Sequence, residues 1–290
     1  FKIKISDSKK FVGKLYPDST FENRERIQKE IKAYELLNDK IPNSVTKIIW
    51  NDPNLNFAIF EWIEGEEIID INDHVLSEVF DFVKSLEQIS REINYENFST
   101  ASAACLSGKM IEFQINNRYK KLIKVSKNNP ELHEFLKTDF INAYNKILVD
   151  SKKKWPGKFD EYVPVTNQIL SPSDFGFHNI LLTQNGLIYF DFEYFGWDDP
   201  VKFTSDFLLH PAMDLTEKQK IYWFNKMSEI FYYDQSFKTR FAASFNLFGL
   251  CWCLIVLNVF IANNSNELSI DKINNKKSKR LLRAKKILSQ

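Results

Sequence analysis

Three polar residues in the second half of the chain have the spacing of a phosphoryl-transfer site. Asp174 lies five residues before Asn179, and Asp191 follows a predicted strand hairpin. In phosphoryl transfer one aspartate orients or deprotonates the attacking hydroxyl, while amide and carboxylate oxygens hold Mg²⁺ beside the phosphates. Each residue alone would more often be a turn former or a helix cap. Because this order and spacing rarely occur together by chance, the three residues predict a phosphoryl-transfer site that holds a cation.

The hairpin is predicted from the Asn-Gly dipeptide at 185–186, a strong two-residue turn signal. With that turn, Ile180 would pair with Asp191, so Asn179 and Asp191 would finish at the same open end of the hairpin. In a regular ladder these two side chains would point to opposite faces. We therefore expect at least one of them to lie just beyond the ladder if they share a metal ion.

A lysine and glutamate pair is predicted nearer the N-terminus. Lys14 interrupts the apolar strand pattern of residues 11–16, where a surface lysine with its stem along the strand is the ordinary interpretation. Glu30 lies three residues after Ile27 and four before Tyr34, so it borders the apolar stripe of a helix. A strand lysine followed by an inward helix glutamate fits the ion pair with which kinases hold nucleotide phosphates. The catalytic pattern later in the chain favours that interpretation.

The elements that must position these residues fall into two regions. Residues 1–64 predict the order strand, strand, helix, strand, strand, and the helix begins at Ser19, which forms a Ser-x-x-Glu capping box with Glu22. From Gly65 onward the pattern becomes mainly helical. The predicted strands are 1–5, 10–16, 45–50, 56–62, 180–183 and 187–190, and the later helices are roughly 72–91, 109–126, 131–152, 215–231, 236–262 and 268–288.

In these segments the chain resembles the aminoglycoside phosphotransferase and choline kinase-like superfamily. The resemblance is carried, in the expected order, by residues 11–14, the helix with Glu30, residues 57–65, and residues 173–179 together with 189–193. It implies an α+β, bilobal, protein-kinase-like fold with a small β-rich N-terminal lobe that has one helix and a larger, mainly helical C-terminal lobe. The nucleotide-binding lobe would span 1–64, truncated at its start. The helical lobe would span 65–290, with a catalytic loop at 171–179 and a metal-binding hairpin at 180–193.

The resemblance also implies an activity, the transfer of the γ-phosphate of ATP, with Mg²⁺, to a hydroxyl of a small molecule. A sugar, an aminoglycoside, a choline-like amino alcohol or a related metabolite would be the acceptor. Asp174 would be the catalytic base, and Asn179 and Asp191 would be the metal ligands. The ATP-binding residues would be Lys14, Glu30, Glu61 and Ile63, the last two through backbone groups that bond adenine.

Three residues near the catalytic stretch are candidates for contacting the substrate, namely Glu193, His178 and Asp199. His178 and Asp199 could equally be loop hydrogen-bonding residues, and an aspartate before Pro200 is an ordinary turn signal. Residues 52–81 contain nine acids and no lysine or arginine, which would attract a cationic substrate. Such runs are more often solvated faces. No peptide-binding segment is evident after Glu193, which favours a small-molecule acceptor.

Two departures from the family pattern leave a second interpretation open. Pro172 occupies the place where the family usually has a histidine, two residues before the catalytic aspartate. No glycine-rich phosphate loop is visible, and it would lie before or around Phe1. A pseudokinase, which binds or scaffolds without turnover, is therefore the alternative to a kinase.

Composition excludes other classes of protein. The 290 residues are 44% hydrophobic and 27% charged with a formal net charge of +1, which disfavours disorder and a globally basic nucleic-acid binder. Eight basic residues and no acid follow Asp271, so the rest of the chain is net acidic. Three cysteines are too few for a disulfide framework and favour a reducing, cytoplasmic location. The apolar run 247–257 is too short to span a membrane, which predicts a packed core helix around Cys251 and Cys253.

Overall fold

The structure is a computed structural model that describes residues 1–6, 9–17, 25–261 and 270–289. The chain divides into two compact units. The first consists of residues 1–104 and 164–233, and the second of residues 105–163 and 234–290. Every residue predicted to belong to the functional site lies in the first unit.

Nine strands and nine main helices are present in the described residues. The strands are β1 Lys2–Ser6, β2 Lys9–Leu15, β3 Ile48–Asp52, β4 Phe57–Glu61, β5 Glu66–Glu67, β6 Ile169–Ser171, β7 Ile180–Thr183, β8 Gly186–Tyr189 and β9 Gly196–Asp198. The helices are α1 Arg26–Lys40, α2 Asp73–Glu92, α3 Gly108–Ser126, α4 Pro130–Phe135, α5 Ile141–Lys154, α6 Pro200–Leu209, α7 Glu217–Ile230, α8 Phe237–Val256 and α9 Ile270–Leu288.

The first four strands form an antiparallel sheet in the order β1-β2-β4-β3, and α1 lies between β2 and β3 in the chain. Ile27, Tyr34 and Leu37 of α1 are buried, as its apolar stripe predicts. The predicted order of strands and helix in this region is therefore confirmed. The predicted capping box of Ser19 and Glu22 lies outside the described residues.

Two smaller antiparallel sheets carry the segments that matter for the site. One has the order β5-β7-β8, and the other pairs β6 with β9. The loop between β6 and β7 contains Asp174, and the segment between β8 and β9 contains Asp191. The sequence patterns did not predict β5, β6 or β9, which are only two or three residues long.

The β7–β8 hairpin turns one residue earlier than the sequence predicts. Residues 184–185 form the turn, and Gly186 begins β8 at φ +107°, a conformation that favours glycine. Thr183 closes the turn, because its Oγ1 donates to Gly186 O at 2.8 Å and accepts from the N–H of the second turn residue at 3.1 Å. Ile180 consequently pairs with Tyr189. The predicted register was wrong by two positions.

Helix α6 was not predicted, because the Asp-Pro dipeptide before it was interpreted as a turn. The Asp199 carboxylate accepts a hydrogen bond from Val201 N at 2.8 Å and caps the helix. Pro200 follows in the first turn, where its fixed φ suits a helix and its missing N–H costs nothing. The same dipeptide is therefore a helix start.

The second unit is helical, and α8 packs against α3, α5 and α9. The single helix predicted for residues 131–152 is in fact two helices, α4 and α5, joined by a π-helical turn at Leu136–Phe140. The predicted helices at 109–126, 236–262 and 268–288 correspond to α3, α8 with a short 3₁₀ turn, and α9.

One helical stretch among the described residues, Phe237–Phe260, is long and apolar enough to cross a membrane by length and composition alone. Of its apolar window, 61% is buried inside the protein, which is also the property of a core helix. Cys251 and Cys253 are buried in it, and burial raises the pKa of the Cys253 thiol to about 12. This agrees with the prediction of a packed core helix around the two cysteines.

Candidate active site

Lys14 lies in the middle of three carboxylates. Its Nζ is 2.7 Å from Glu30 Oε2, 2.6 Å from Asp191 Oδ1 and 3.2 Å from Glu193 Oε2. Burial would lower the pKa of Lys14, but the three carboxylates outweigh it and raise the pKa well above its usual value. The ammonium therefore remains charged at neutral pH. Strand β2 supplies the lysine, α1 the glutamate beside it, and the segment after β8 the other two acids.

Glu30 is 1% exposed, and both of its oxygens are used. Oε2 accepts from Lys14 Nζ and from the Tyr16 hydroxyl, and Oε1 accepts from Phe192 N at 3.0 Å. Burial raises the pKa of Glu30, and Lys14 only partly opposes that shift. A buried carboxylate needs this full set of partners. The lysine and glutamate pair expected from the sequence is present.

The loop that carries Asp174 is held by serines on either side of Pro172. Ser173 has φ +66°, a left-handed conformation that favours glycine and is strained for serine. Its Oγ donates a hydrogen bond to Ser102 O at 2.7 Å. Ser173 N donates to Ser171 Oγ at 3.0 Å. Asp174 N donates to Pro172 O at 2.9 Å. These bonds turn the chain sharply and leave the Asp174 carboxylate partly exposed.

Asp174 has a histidine partner that the sequence analysis did not assign to it. His178 Nε2 is 3.2 Å from Asp174 Oδ1, and the His178 ring stacks on the His210 ring at 4.5 Å between centroids. Ala212 N donates to His210 Nδ1 at 3.1 Å. Burial would raise the pKa of Asp174, but the hydrogen bond and charge of His178 outweigh it and lower the pKa below its usual value. The sequence signal was the short separation of four residues, since His178 lies in a 3₁₀ turn at Phe177–Asn179 directly after the loop that carries Asp174.

Asn179 and Asp191 are positioned by the end of the hairpin ladder. Phe190 N donates to Asn179 O at 3.1 Å, and Asp191 follows at φ +68°, beyond the ladder. Asn179 Nδ2 donates to Asp174 O at 2.9 Å, which leaves the amide oxygen as the end of that side chain suited to a cation. The structure brings Asp191 to Lys14 and Asn179 to the backbone of Asp174. An amide oxygen and a carboxylate fit a hard cation such as Mg²⁺.

A cavity of about 390 Å³ lies beside Lys14 and Asp191, which both belong to its lining. That volume is within the range of small-molecule sites. Its apolar lining residues include Val12, Phe60, Ile63, Leu181 and Ile188. Glu61 also lines it, and the Glu61 N–H already donates to Lys47 O at 2.9 Å, while Thr46 Oγ1 donates to Glu61 O at 3.4 Å. Of the two backbone groups of Glu61, the N–H is therefore already used, and a ligand could bond to the second lone pair of the carbonyl oxygen.

The three substrate candidates have different surroundings. Glu193 is 8% exposed and accepts from Arg26 Nη1 at 2.8 Å in addition to its contact with Lys14. Asp199 is 2% exposed and caps α6. His178 is exposed beside Asp174. Their predicted contacts with substrate stay predictions.

Comparison with known proteins shows which solved structures share the fold of this chain. No family model and no curated protein matches the sequence. The solved choline kinase LicA from Streptococcus pneumoniae is similar with a TM-score of 0.62 and 16% identity, covering 99% of this chain and 89% of that chain. Plasmodium vivax ethanolamine kinase is similar with a TM-score of 0.61 and 16% identity, covering 98% and 78%. The ADP-bound aminoglycoside phosphotransferase APH(2'')-Ib is similar with a TM-score of 0.55 and 16% identity, covering 99% and 93%.

Proposed function

We propose that this chain, which has the α+β, bilobal, kinase-like fold of choline and ethanolamine kinases and aminoglycoside phosphotransferases, is an ATP-dependent small-molecule kinase. It transfers the γ-phosphate of ATP to a hydroxyl of a sugar, an aminoglycoside, a choline-like amino alcohol or a related metabolite. The observation that carries the proposal is the meeting of Lys14, Glu30 and Asp191 beside a cavity of about 390 Å³. A charged lysine beside a carboxylate and an apolar cavity is what a nucleoside triphosphate requires.

In this proposal the residues act by positioning and charge. Lys14, fixed by Glu30, binds a phosphate of ATP, and the apolar lining with the backbone of Glu61 and Ile63 holds adenine. Asp174 accepts a hydrogen bond, and then the proton, from the acceptor hydroxyl. Asn179 and Asp191 would hold Mg²⁺, which would neutralise phosphate charge when bound.

The proposal also covers the nucleotide and cation, the acceptor side of the site and the location of the protein. The solved structures of related fold include an ADP-bound phosphotransferase and an amicoumacin kinase with AMP-PNP and Ca²⁺, which supports nucleotide binding with a divalent cation. His178 is our first candidate for the acceptor side because it is exposed next to Asp174. We infer a cytoplasmic protein, because its three cysteines are buried thiols. We also propose that it does not act on nucleic acid or membranes, since its net charge of +1 disfavours a basic nucleic-acid binder and 61% of its one long apolar helical window among the described residues is buried.

The test is ADP release by the purified chain with MgATP across a panel of sugars, aminoglycosides and amino alcohols. Asp174→Ala should lower turnover by about 10²–10⁴-fold with the melting temperature retained, because the carboxylate meets the reacting hydroxyl. Asp139→Ala, which removes an exposed aspartate of the second unit, is the matched control and should be as active as wild type. Equal ADP release by wild type and Asp174→Ala would overturn the assignment.

Pro172, in place of the family's usual histidine, supports the alternative of a pseudokinase. Thermal denaturation with and without millimolar MgATP separates the two functions cheaply, because a ligand that binds only the folded state raises the melting temperature. No shift with MgATP, together with no ADP release from any acceptor, would favour the pseudokinase.

A further inference from the structure

One face of α1 contacts three consecutive residues of the segment that follows β8. Arg26, Glu30 and Tyr34 are spaced four residues apart, so they form a single stripe along the helix. Tyr34 Oη accepts from Asp191 N at 3.2 Å, and Glu30 Oε1 accepts from the next backbone N–H at 3.0 Å. Arg26 Nη1 donates to Glu193 Oε1 at 2.8 Å. The helix and the segment thus run past each other in opposite directions, with one bond per helical turn.

The residue that bonds to Tyr34, the last member of this stripe, has an unfavourable backbone conformation. Asp191 has φ +68°, in the left-handed region that non-glycine residues seldom occupy. Such a conformation persists where the surroundings hold it in place. The bond from Asp191 N to Tyr34 Oη fixes the peptide that sets this angle, and the same residue aims its carboxylate at Lys14.

The Tyr34 ring is itself firmly placed. Tyr34 is 2% exposed, and its ring contacts Phe192 edge-on at 5.1 Å and Phe60 at 5.3 Å between centroids. A buried ring between two other aromatic rings has a single position. The Tyr34 hydroxyl is therefore held in a fixed position as the acceptor for Asp191 N.

We propose that Tyr34 is a positioning residue for the cation site, because its hydroxyl holds Asp191 in the left-handed conformation that presents the carboxylate to Lys14 and to a bound divalent cation. The proposal rests on the proposed function for its catalytic meaning. It assigns to α1 a second task besides carrying Glu30. Outer partners of this kind orient a metal-binding carboxylate without touching the metal.

Tyr34→Phe tests the proposal, because it removes the hydroxyl and keeps the buried ring. Tyr189→Phe is the matched control, since Tyr189 is also buried in the first unit and its hydroxyl bonds to Glu78 O at 3.4 Å, away from Asp191. With ATP fixed, the half-saturating Mg²⁺ concentration should rise about tenfold in Tyr34→Phe. The KM for ATP should change less than about twofold, because the variant keeps the ring of Tyr34 that lines the cavity and removes only the hydroxyl bonded to Asp191 N.

A second measurement does not depend on activity. In the ligand-free protein, amide hydrogen exchange resolved to single residues should accelerate at Asp191 in Tyr34→Phe and stay unchanged at Phe192, whose N–H is bonded to Glu30. Tyr189→Phe should leave both amides as in wild type. Faster exchange at both amides in Tyr34→Phe would mean general loosening and would overturn the proposal.

The two measurements separate failure of the inference from failure of the proposed function. If wild type needs Mg²⁺ and Tyr34→Phe needs the same concentration within about twofold, the positioning role is wrong and the kinase function stands. If wild type gives no response to MgATP, the kinase function is wrong. In that case, faster exchange at Asp191 alone still supports the anchoring by Tyr34, and unchanged exchange overturns it.

Discussion

The Asp174 carboxylate has its histidine partner after it in the chain rather than before it. His178 lies four residues later, its Nε2 is 3.2 Å from Asp174 Oδ1, and its ring stacks on that of His210. Pro172 has no side-chain donor to offer from the other direction. The imidazole of His178 keeps the pKa of Asp174 below its usual value despite burial. Within the proposed function, His178 therefore both orients the base and keeps it ionised.

Replacement of His178 should separate these two effects. His178→Ala should lower kcat by about tenfold, because the carboxylate loses the hydrogen bond that orients it, while the KM for ATP stays near wild type. His178→Gln can still donate a hydrogen bond to Asp174 and should recover most of the lost rate. Steady-state kinetics of the three proteins check this, and equal losses in the two variants would contradict an orienting role.

The pH dependence of kcat/KM gives an independent test of the charge effect. Asp174 must be ionised to accept a proton, and His178 lowers its pKa. In His178→Ala the pKa of Asp174 should therefore rise, and the acid limb of the profile should move to higher pH. His210 and Lys202 also act on this carboxylate and remain in the variant. An acid limb that stays in place would show that His178 does not control the ionisation of Asp174.

Much of this site follows from the sequence, and the missing part has a clear physical reason. The lysine and glutamate pair, the aspartate beyond the hairpin and Asp174, the proposed catalytic base, each follow from a local sequence pattern. The bonds from Tyr34 and Arg26 to residues more than 150 positions away have no local signature. The predicted hairpin register was wrong because the Asn-Gly rule considers only the turn dipeptide. The Thr183 side chain, which the rule ignores, bonds to both sides of the turn and places it at residues 184–185.

At the scale of elements, the start of α6 decides the surroundings of one predicted substrate residue. Asp199 caps the helix from a nearly fully buried position, and β9 ends immediately before it. A helix cap and a substrate contact make different demands on this carboxylate, because a cap needs one acceptor oxygen and a cationic substrate would need the charge.

Substitution of Asp199 distinguishes the two roles. Asp199→Ala should destabilise the protein by about 1 kcal/mol, because the N–H of Val201 loses its acceptor. Asp199→Asn keeps an acceptor oxygen and should restore most of that stability with an unchanged KM for the acceptor. Thermal denaturation and kinetics are the measurements. A raised acceptor KM in Asp199→Asn at full stability would favour the substrate role instead.

At the scale of the whole molecule, Lys14 joins parts of the first unit that are far apart in the chain. It contacts Asp191, which is 177 positions away, and it is the common partner of three acids. Glu30 already has a raised pKa through burial. Without the ammonium, Glu30 would lose the charge that opposes the effects of burial and of the neighbouring Asp191, and the pKa of Glu30 would rise further.

Lys14→Met should consequently make stability depend on pH. An acid whose folded pKa lies above its unfolded value stabilises the protein below the unfolded pKa, and the effect is lost as pH rises through the folded pKa. The variant should lose about 3 kcal/mol at neutral pH and regain part of it as the pH falls towards about 5. Lys10→Met, on the same strand as Lys14, breaks an exposed pair with Glu64 and should leave the stability close to that of wild type at either pH. Denaturant titrations at two pH values check both variants, and an equal loss for Lys14→Met at both would contradict the argument.

The stripe of Arg26, Glu30 and Tyr34 also has a consequence for finding relatives of a chain that no family model matches. Its three positions form the pattern Arg-x-x-x-Glu-x-x-x-Tyr, and their partners form Asp-Phe-Glu in reverse order. Tyr34 and Glu30 accept from backbone N–H groups, which nearly every residue type provides, so only the side-chain pair of Arg26 and Glu193 should be substituted together in evolution. A homologue without the tyrosine should carry another acceptor near that site, and one without the arginine should lose the last acid of the triplet as well.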